Sequence, residues 1–259
     1  MSRNAVVSRN AVVIFTKFPA TGRVKTRMLG ALTARQACLL HNACLADAVA
    51  LVNAFTASSF TAACEPWLYV GGTAAQARAL GKALGLSKPW GVETQRGGDL
   101  GARMRKACAV RFRSGCAKII LIGTDTPWMG PRRLALALRA LDHADVVLGP
   151  ASDGGYYLVG ARSTLPAKLL REIFRAIHWG TSSVLRSTVE NIRRHKIPMR
   201  LLPRDFDLDR PSDLARAAKL LRSSPERSPA LAKWMLEDRI TQTGVTERAR
   251  ATSESSRRR

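Results

Sequence analysis

Short apolar runs separated by polar turns recur along the chain and predict buried β-strands. The run at residues 119–122 is typical, because it is rich in β-branched residues and is followed by Gly and Pro. These features favour an interior strand of a parallel sheet over a short helix. A Gly-rich turn at 150–155 followed by the apolar segment 156–160 predicts a hairpin. The other predicted strands are 11–16, 67–70, 91–94, 145–148 and 199–202.

Between these runs, the spacing of apolar residues changes to that of amphipathic helices. A long helix is predicted over 33–54, where Leu39, Leu40, Ala43 and Ala46 fall near helical spacing. Alternating strands and helices are typical of an α/β fold with helices on both faces of a parallel or mixed sheet. Further helices are predicted over 73–86, 100–112, 132–141 and from Pro211 onward.

The alternating pattern is confined to residues 11–223, which we predict to form one domain. Residues 2–7 are repeated as 8–13 and only the second copy leads into a strand, so we expect residues 1–10 to form a loose arm. The chain beyond 223 is predicted to be a basic extension. Its amphipathic segment 231–240 has two open roles, docking on the domain or binding a partner, and the residues from 241 onward are too polar to order by themselves.

Charge and composition narrow the class of protein only slightly. The 42 Lys and Arg residues against 19 Asp and Glu give a net charge of +23, which attracts nucleotides, nucleic acid and acidic lipid alike. Five cysteines without a Cys-x-x-Cys pair indicate reduced core thiols, and with no signal-peptide pattern we expect a cytoplasmic protein. Four histidines lack zinc spacing, and no apolar run approaches the roughly 20 residues of a membrane span.

The strongest chemical feature is a carboxylate at the end of the run 119–122. The sequence there continues Gly123-Thr124-Asp125-Thr126-Pro127. In open α/β sheets, ligands bind at the carboxyl ends of the strands, and an Asp at that edge can hold a divalent cation against phosphate oxygens. The alternative is an Asp that caps the following helix.

A basic loop follows the first predicted strand. Four cations lie within eleven residues, and Gly22 lets the chain bend around a ligand. We interpret this loop as a diphosphate cradle, although it matches neither the P-loop nor the Gly-x-Gly-x-x-Gly pattern. A solvated basic loop is the alternative. The four cations are Lys17, Arg23, Lys25 and Arg27.

Two further strand ends carry glycines beside polar side chains. At 95–103, Gln95 and Arg103 flank a Gly pair and can contact a nucleobase or phosphate, while Asp99 is interpreted as a helix cap. At 153–157, Asp153 precedes two glycines and two tyrosines, a combination that suits a sugar or an acceptor that must lose a proton. An ordinary turn with the tyrosines on the core is the alternative.

Three carboxylates alternate along residues 205–209. On an extended segment, alternate side chains face one side, and like charges so close repel one another unless a cation is near. We therefore expect Asp207 or Asp209 to be a second metal ligand. Asp213 is interpreted as an acid in the first turn of the last helix.

Taken in order, these segments resemble a bacterial family of GT-A-fold transferases that is related to nucleotide-diphospho-sugar transferases and labelled radical-SAM/selenodomain-associated. The resemblance covers residues 11 to about 220 and implies a three-layer α/β/α fold with a mostly parallel mixed sheet. The matching stretches are 22–28, 98–104, 122–127, 149–157, 178–181 and 207–214.

The resemblance also implies a division of the site. The first strands form the nucleotide half, Mg²⁺ or Mn²⁺ binds near Asp125 with Asp207 or Asp209, and Asp153 joins Asp125 in the chemistry. The expected nucleotide and diphosphate contacts are Lys17, Gly22, Arg23, Lys25, Arg27, Gln95, Gly98 and Arg103. The expected sugar or acceptor contacts are Gly154, Gly155, Tyr156, Trp179 and Thr181.

Two positions depart from the family pattern. Many GT-A enzymes have Asp-x-Asp, whereas this chain has one carboxylate, Asp125, as in related nucleotidyltransferases that pair such an Asp with a later one. Met28 replaces the more usual Leu, a change of little consequence.

Three functions remain open at this point. The first is glycosyl transfer from a nucleotide-diphosphate sugar to an unidentified acceptor. The second is nucleotidyl transfer from a nucleoside triphosphate to a phosphorylated acceptor with release of pyrophosphate. The third is non-catalytic binding of nucleic acid, for which the sequence has no helix-turn-helix, zinc-finger or stacking motif.

Overall fold

A seven-stranded mixed sheet forms the centre of the part of the molecule that the computed structural model describes, residues 9–58 and 64–237. The strand order is β3-β2-β1-β4-β6-β5-β7. Strand β6 runs antiparallel to both of its neighbours, and the other neighbours are parallel. The strands are β1 Arg9–Lys17, β2 Cys64–Gly71, β3 Gly91–Thr94, β4 Cys116–Ile122, β5 Val146–Pro150, β6 Tyr156–Arg162 and β7 Met199–Leu201.

Helices connect the strands, and several begin at the capping residues seen in the sequence. Thr33 and Thr73 form capping boxes with the Gln three residues later, and Asp99 accepts a hydrogen bond from the Ala102 amide at 2.7 Å. The α-helices are α1 Ala34–Thr56, α2 Ala74–Ala83, α3 Leu100–Arg113, α4 Pro131–Ala140, α5 Ala167–Ile173, α6 Val184–Arg194, α7 Pro211–Ser223 and α8 Pro229–Glu237.

The sheet is buried on both faces, as the alternation along β4 shows. Ile120 and Ile122 pack with α1, α2 and α4, whereas Ile119 and Leu121 pack with α3, α5 and α6. Successive side chains of a strand point to opposite faces, so a continuous apolar run requires a layer of helices on each side. The predicted three-layer α/β/α fold is confirmed.

The N-terminal boundary differs from the prediction. Strand β1 begins at Arg9, where Arg9 pairs with Cys116 and Asn10 with Cys64. The last two residues of the predicted arm therefore belong to the sheet, because a neighbouring strand on each side extends the ladder beyond the apolar run. Residues 1–8 lie outside the described part of the chain.

The start of the C-terminal extension packs on the domain. Leu231 and Trp234 of α8 are buried beside Leu40 of α1 and Leu214 of α7. Of the two roles left open for this amphipathic segment, docking is the one observed. Its residues from 238 onward, and the tail that was expected to be disordered, lie outside the described residues.

Helix α1 is long and apolar enough to cross a membrane by length and composition. It lies instead on the sheet, with Leu45, Val52 and Phe55 in the core.

Between 163 and 198, sequence reasoning identified neither α5 nor α6. Helix α5 has only seven residues, and its apolar positions are too few to show a period.

Candidate active site

The carboxyl ends of β1 and β4 open into a cleft of about 620 Å³. Beside it lies a smaller cavity of about 150 Å³, here called the acidic pocket, which contains Asp125, Asp153 and Asp207. The two cavities share four lining residues, Gly123, Asp125, Tyr156 and Tyr157. Since both lie where β1 and β4 end and β6 begins, the site occupies the sheet edge that the sequence predicted.

Lys25 is the cation closest to Asp125. Its ammonium donates to Asp125 Oδ1 at 2.5 Å and also to the carbonyl of Leu208. The backbone at Lys25 is left-handed, with φ 48°, and its side chain is only 3% exposed, against 48% for Asp125. The loop that was interpreted as a solvated or ligand-facing basic segment thus turns one lysine inward.

Burial and pairing act in opposite directions on these two charges. Burial alone lowers the pKa of Lys25, but the carboxylate of Asp125 outweighs it and the pKa stands above its usual range. Burial likewise opposes ionisation of Asp125, yet the Lys25 ammonium keeps the pKa of Asp125 below its usual range. Both groups are therefore charged at neutral pH.

The acidic run at 205–209 reaches this site through backbone contacts. The Asp205 amide donates to the Pro150 carbonyl at 3.0 Å, and the Leu208 amide donates to the Asp125 carbonyl at 2.7 Å. Phe206 and Leu208 turn inward, where Phe206 stacks on Trp128 with ring centroids 4.0 Å apart. The segment is thus held between the 150–157 hairpin and the Asp125 loop.

Asp207 is the member of this run that enters the acidic pocket. It accepts a hydrogen bond from Thr126 Oγ1 at 2.9 Å. Burial, together with the nearby charges of Asp125 and Asp153, raises the pKa of Asp207 to about 8. A carboxyl that cannot easily ionise among like charges is one that a divalent cation would neutralise.

The other two acids of the run have different partners. Asp209 Oδ2 accepts from Arg27 Nη1 at 2.6 Å and lines the large cleft. Asp205 accepts from Trp128 Nε1 at 3.1 Å and from the Phe206 amide. The three alternate acids thus have three different donors, and of the three only Asp207 lines the acidic pocket.

The basic loop contributes to the cleft unevenly. Lys17, Lys25 and Arg27 line it, and Arg27 also donates to the Gly180 carbonyl at 2.8 Å. Gly22 and Arg23 are exposed and are not among the residues that line either cavity.

The Gly-rich junction after β3 supplies two polar side chains to the cleft. Gln95 Nε2 donates to the carbonyls of Thr16 and Tyr69 at 2.8 and 3.0 Å, an arrangement that fixes its amide. Arg103 donates to the carbonyls of Gly97 and Gly98, so it also braces its own loop. Gly98 itself is outside the lining.

The predicted sugar or acceptor residues divide into lining and supporting groups. Asp153, Gly155 and Tyr156 line the acidic pocket, and Asp153 Oδ1 accepts from the Gly155 amide at 2.8 Å. The ring of Trp179 meets Tyr156 edge to face at 6.4 Å and lines neither cavity.

The remaining two positions of that set are set back from the cavities. Gly154, with φ +91°, has no room for a side chain, because a Cβ there would lie 2.1 Å from the Ser182 carbonyl oxygen. Thr181 donates to the His178 carbonyl at 2.8 Å. Both therefore shape the 178–182 turn rather than the surface of the pocket.

His41 lines the cleft but was missed from sequence. Its Nε2 lies 3.1 Å from Thr16 Oγ1 and 3.2 Å from the Lys17 carbonyl. Burial lowers the pKa of His41, so the ring is neutral at pH 7. The available signal was a polar side chain between Leu40 and Ala43 on the apolar face of α1.

Comparisons with known proteins agree with this architecture. A family model described as "Uncharacterized protein conserved in bacteria (DUF2064)" matches residues 56–181. A solved structure from Desulfovibrio desulfuricans G20, described as a "putative nucleotide-diphospho-sugar transferase", shares 29% identity, covers 89% of this chain and 95% of that one, and has a TM-score of 0.77. The chain therefore has a GT-A-like fold, the fold of this nucleotide-diphospho-sugar transferase-like structure. No protein with a curated description matches the sequence.

More distant structures share only the fold with this GT-A-like protein. A 4-diphosphocytidyl-2C-methyl-D-erythritol synthase from Anaerococcus prevotii DSM 20548 has 8% identity, covers 85% of this chain and 100% of that one, and has a TM-score of 0.53. The predictions of a GT-A-like resemblance, an α/β fold and a transferase are confirmed.

The acidic pocket of the GT-A-like protein fits a divalent cation in its donor chemistry. Within residues 9–58 and 64–237, no three His, Cys, Asp or Glu side chains form a ready-made ligand group. Mg²⁺, however, needs only one or two carboxylates when substrate phosphates complete its shell. Asp125, which is ionised, and Asp207, which is crowded by like charges, are hard oxygen donors of that kind.

Proposed function

We propose that this GT-A-like protein transfers a glycosyl group from a nucleotide-diphosphate sugar in the presence of Mg²⁺ or Mn²⁺. The observation that carries the proposal is the composition of the acidic pocket, whose lining has three carboxylates and two tyrosines but neither Lys nor Arg. Such a surface suits the hydroxyl groups of a neutral sugar, whereas a phosphorylated acceptor would meet like charge.

The cations of the large cleft suit the diphosphate. Lys17, Lys25 and Arg27 all line the cleft, and the side chain of Lys25 is almost fully buried against Asp125. When the bond to the sugar breaks, negative charge develops on the leaving nucleoside diphosphate, and positive groups already fixed there stabilise it. Gln95 and Arg103, on the β2 and β3 side of the cleft, are the proposed nucleoside contacts.

Asp125 and Asp207 are the proposed metal ligands. Asp207 is preferred over Asp209, because of the two only Asp207 lines the acidic pocket together with Asp125 and Asp153. A divalent cation held there would supply Lewis-acid stabilisation of the diphosphate oxygens. Asp207 would release its proton on binding the cation.

Asp153 is the proposed sugar contact or general base. Its side chain is exposed in the acidic pocket and is oriented by the Gly155 amide. From that position a carboxylate can accept the proton of an acceptor hydroxyl as the hydroxyl attacks the sugar.

Nucleotidyl transfer is the second candidate. The observation in its favour is the single Asp of the 123–127 loop, with a partner carboxylate, Asp207, that comes from 82 residues later. In that reaction the cations of the cleft would hold a triphosphate and stabilise departing pyrophosphate.

The deciding experiment incubates the protein and Mn²⁺ with a panel of sugar nucleotides and, separately, with nucleoside triphosphates and sugar phosphates. Release of nucleoside diphosphate supports glycosyl transfer, and release of pyrophosphate supports nucleotidyl transfer. Asp125→Asn and Asp207→Asn are each expected to reduce product release about 100-fold or more. Asp142→Asn, which alters a surface ion pair with Lys118, is the matched control. If neither panel yields product nor binds by calorimetry, both candidates fail.

We also propose a cytoplasmic location for this activity. Cys38, Cys44, Cys64, Cys108 and Cys116 are all free thiols. Unpaired thiols persist in a reducing compartment. Fractionation with antibody detection tests this, and recovery from an oxidising compartment would contradict it.

A further inference from the structure

A second cavity, of about 530 Å³, lies on the other side of α3 from the active-site cleft. Leu100, Arg103 and Met104 of α3 face the cleft, whereas the residues from Arg105 to Arg113 that line the second cavity face away from it. The two cavities have no lining residue in common. The proposed function therefore gives this cavity no role.

The lining of this cavity is strongly cationic. Arg96, Arg105, Lys106 and Arg113 surround it, and Glu93 is its single carboxylate. Within the described part of the chain, none of these four cations makes a side-chain ion pair or hydrogen bond. Four unpaired positive groups converging on one concave surface form a site for an anion.

The cations are regularly arranged along α3. Arg105, Ala109 and Arg113 follow one another at intervals of four residues and form one stripe of the helix surface. At about 1.5 Å per residue, the two arginines are about 12 Å apart along the axis. The stripe can thus contact two anionic groups, or the two ends of one extended anion.

The floor of the cavity has an unsatisfied polar group. Tyr69 is 5% exposed, and its hydroxyl has no hydrogen-bond partner among the described residues. Arg111, also buried, lies 3.5 Å from the centroid of the Trp67 ring and leaves its Nε without a partner. The Arg111 guanidinium offsets part of the rise that burial causes in the pKa of Tyr69, so the inner wall of the cavity is polar as well as aromatic.

We propose that this cavity binds a small phosphorylated organic molecule. Its ring or chain packs on Tyr69, Ala107 and Val110, and its phosphate is held by the guanidinium groups of Arg105 and Arg113. Arginine is suited to this role because its planar fork donates two parallel hydrogen bonds to phosphate oxygens. A volume of about 530 Å³ is that of a typical small-molecule site.

Pyridoxal 5′-phosphate is a direct probe, since it has an aromatic ring, a phosphate and an aldehyde that reacts with a nearby lysine. Borohydride reduction fixes the imine formed with the amine, and peptide mass spectrometry locates it. We expect Lys106 to be labelled about tenfold faster than Lys82, an exposed lysine of α2. Inorganic pyrophosphate should protect Lys106 and leave Lys82 unchanged.

Variants separate this site from the active site and from general surface charge. Arg105→Gln with Arg113→Gln should reduce labelling of Lys106 to the rate of Lys82. The matched control, Arg186→Gln with Arg194→Gln, removes two exposed arginines at the same spacing on α6 and should leave labelling unchanged. Asp125→Asn should also leave it unchanged, even if the proposed transferase activity is absent.

Two results would overturn the proposal. One is labelling of Lys106 at the rate of Lys82, insensitive to the α3 variants, which would indicate ordinary surface charge. The other is protection of Lys106 by a single-stranded oligonucleotide at far lower concentration than pyrophosphate, with steep salt dependence, which would indicate a nucleic-acid surface.

Discussion

At the scale of single residues, the buried ammonium of Lys25 is stabilised by contacts with two segments that are distant in sequence. Its ammonium is buried and bonds to Asp125 and to the Leu208 carbonyl. Asp125, by contrast, keeps about half of its side chain in solvent. Removing the Asp125 carboxylate therefore leaves a buried ammonium, whereas removing the Lys25 ammonium leaves a half-exposed carboxylate.

We predict that Asp125→Asn is more destabilising than Lys25→Met. The first leaves a buried ammonium without its carboxylate and should lower the free energy of unfolding by about 2–3 kcal/mol. The second leaves a carboxylate that water can solvate, at a cost of about 1 kcal/mol. Urea unfolding at pH 7 measures both, with Asp142→Asn as the surface control. A larger loss for Lys25→Met would contradict the burial asymmetry.

The raised pKa of Asp207 predicts that the stability of the protein depends on pH. Its pKa is about 8 in the folded protein and near 3.8 when unfolded. Between those values the folded state holds a proton that the unfolded state has lost, so this group's contribution to stability declines as pH rises from about 4 to about 8. For one proton the decline is at most about 1.4 kcal/mol per pH unit.

Asp207→Asn should remove that decline. The amide can still accept a hydrogen bond from Thr126 and, like the protonated acid, can donate to a neighbouring carboxylate. Chemical unfolding of both proteins between pH 5 and pH 8 provides the measurement. Equal pH slopes for the variant and the parent would show that Asp207 ionises normally.

At the scale of elements, α8 is held by a single buried acid of α1. Asp47 accepts hydrogen bonds from Ser228 Oγ and from the amides of Ala230 and Leu231, at 2.5, 2.9 and 2.9 Å. These amides belong to the first turn of α8, where a carboxylate is most stabilising. The helix then buries Leu231 and Trp234.

We predict that Asp47→Ala lowers the free energy of unfolding by about 2–4 kcal/mol, because three donors lose a buried partner. Urea unfolding of the variant and the parent measures this.

A chain ending at Ser223 should also be less stable than one ending at Glu237, since Leu40 and Leu214 would then be exposed. The melting temperatures of the two truncated chains test this. Equal stability of the two truncated chains would show that the domain ends at 223, as the sequence suggested.

The sequence predicts helices and strands more completely than it predicts the contacts between them. Helix α1 and strands β1 and β4 follow from local periodicity, because each buries one face or both in an α/β layer. Helix α6 was missed, although its buried Val184, Thr188 and Ile192 follow helical spacing. Its N-cap residue, Ser183, makes no side-chain capping bond, and no Gly follows its last turn, although Arg193 and Arg194 are the basic residues typical of a helix end.

At the scale of the whole molecule, the charge of +23 is mostly unbalanced. The ion pairs of the described residues involve only a minority of its Lys and Arg residues. Folding brings these cations together, so self-repulsion opposes the compact state. Salt screens that repulsion over a Debye length of about 10 Å at 0.1 M.

We predict that raising NaCl from about 0.05 to about 0.5 M increases the melting temperature by a few degrees, because weakened repulsion outweighs the loss of exposed ion pairs. Circular dichroism at pH 7 measures this. A lower melting temperature in high salt would show that the ion pairs dominate. The same salt should weaken pyrophosphate protection of Lys106, since that contact is electrostatic.

The sequence by itself determined the alternation of strands and helices outside residues 163–198, the carboxylate at the end of β4 and the basic loop after β1, because these depend on neighbours within a few residues. Only the tertiary structure decided that Lys25 turns inward, that Asp207 and not Asp209 enters the acidic pocket, and that a cationic cavity lies behind α3. Each of these depends on segments that are distant in sequence and meet only when the sheet is assembled. The local sequence pattern cannot predict such contacts, because the topology of the whole chain decides which side chains become neighbours.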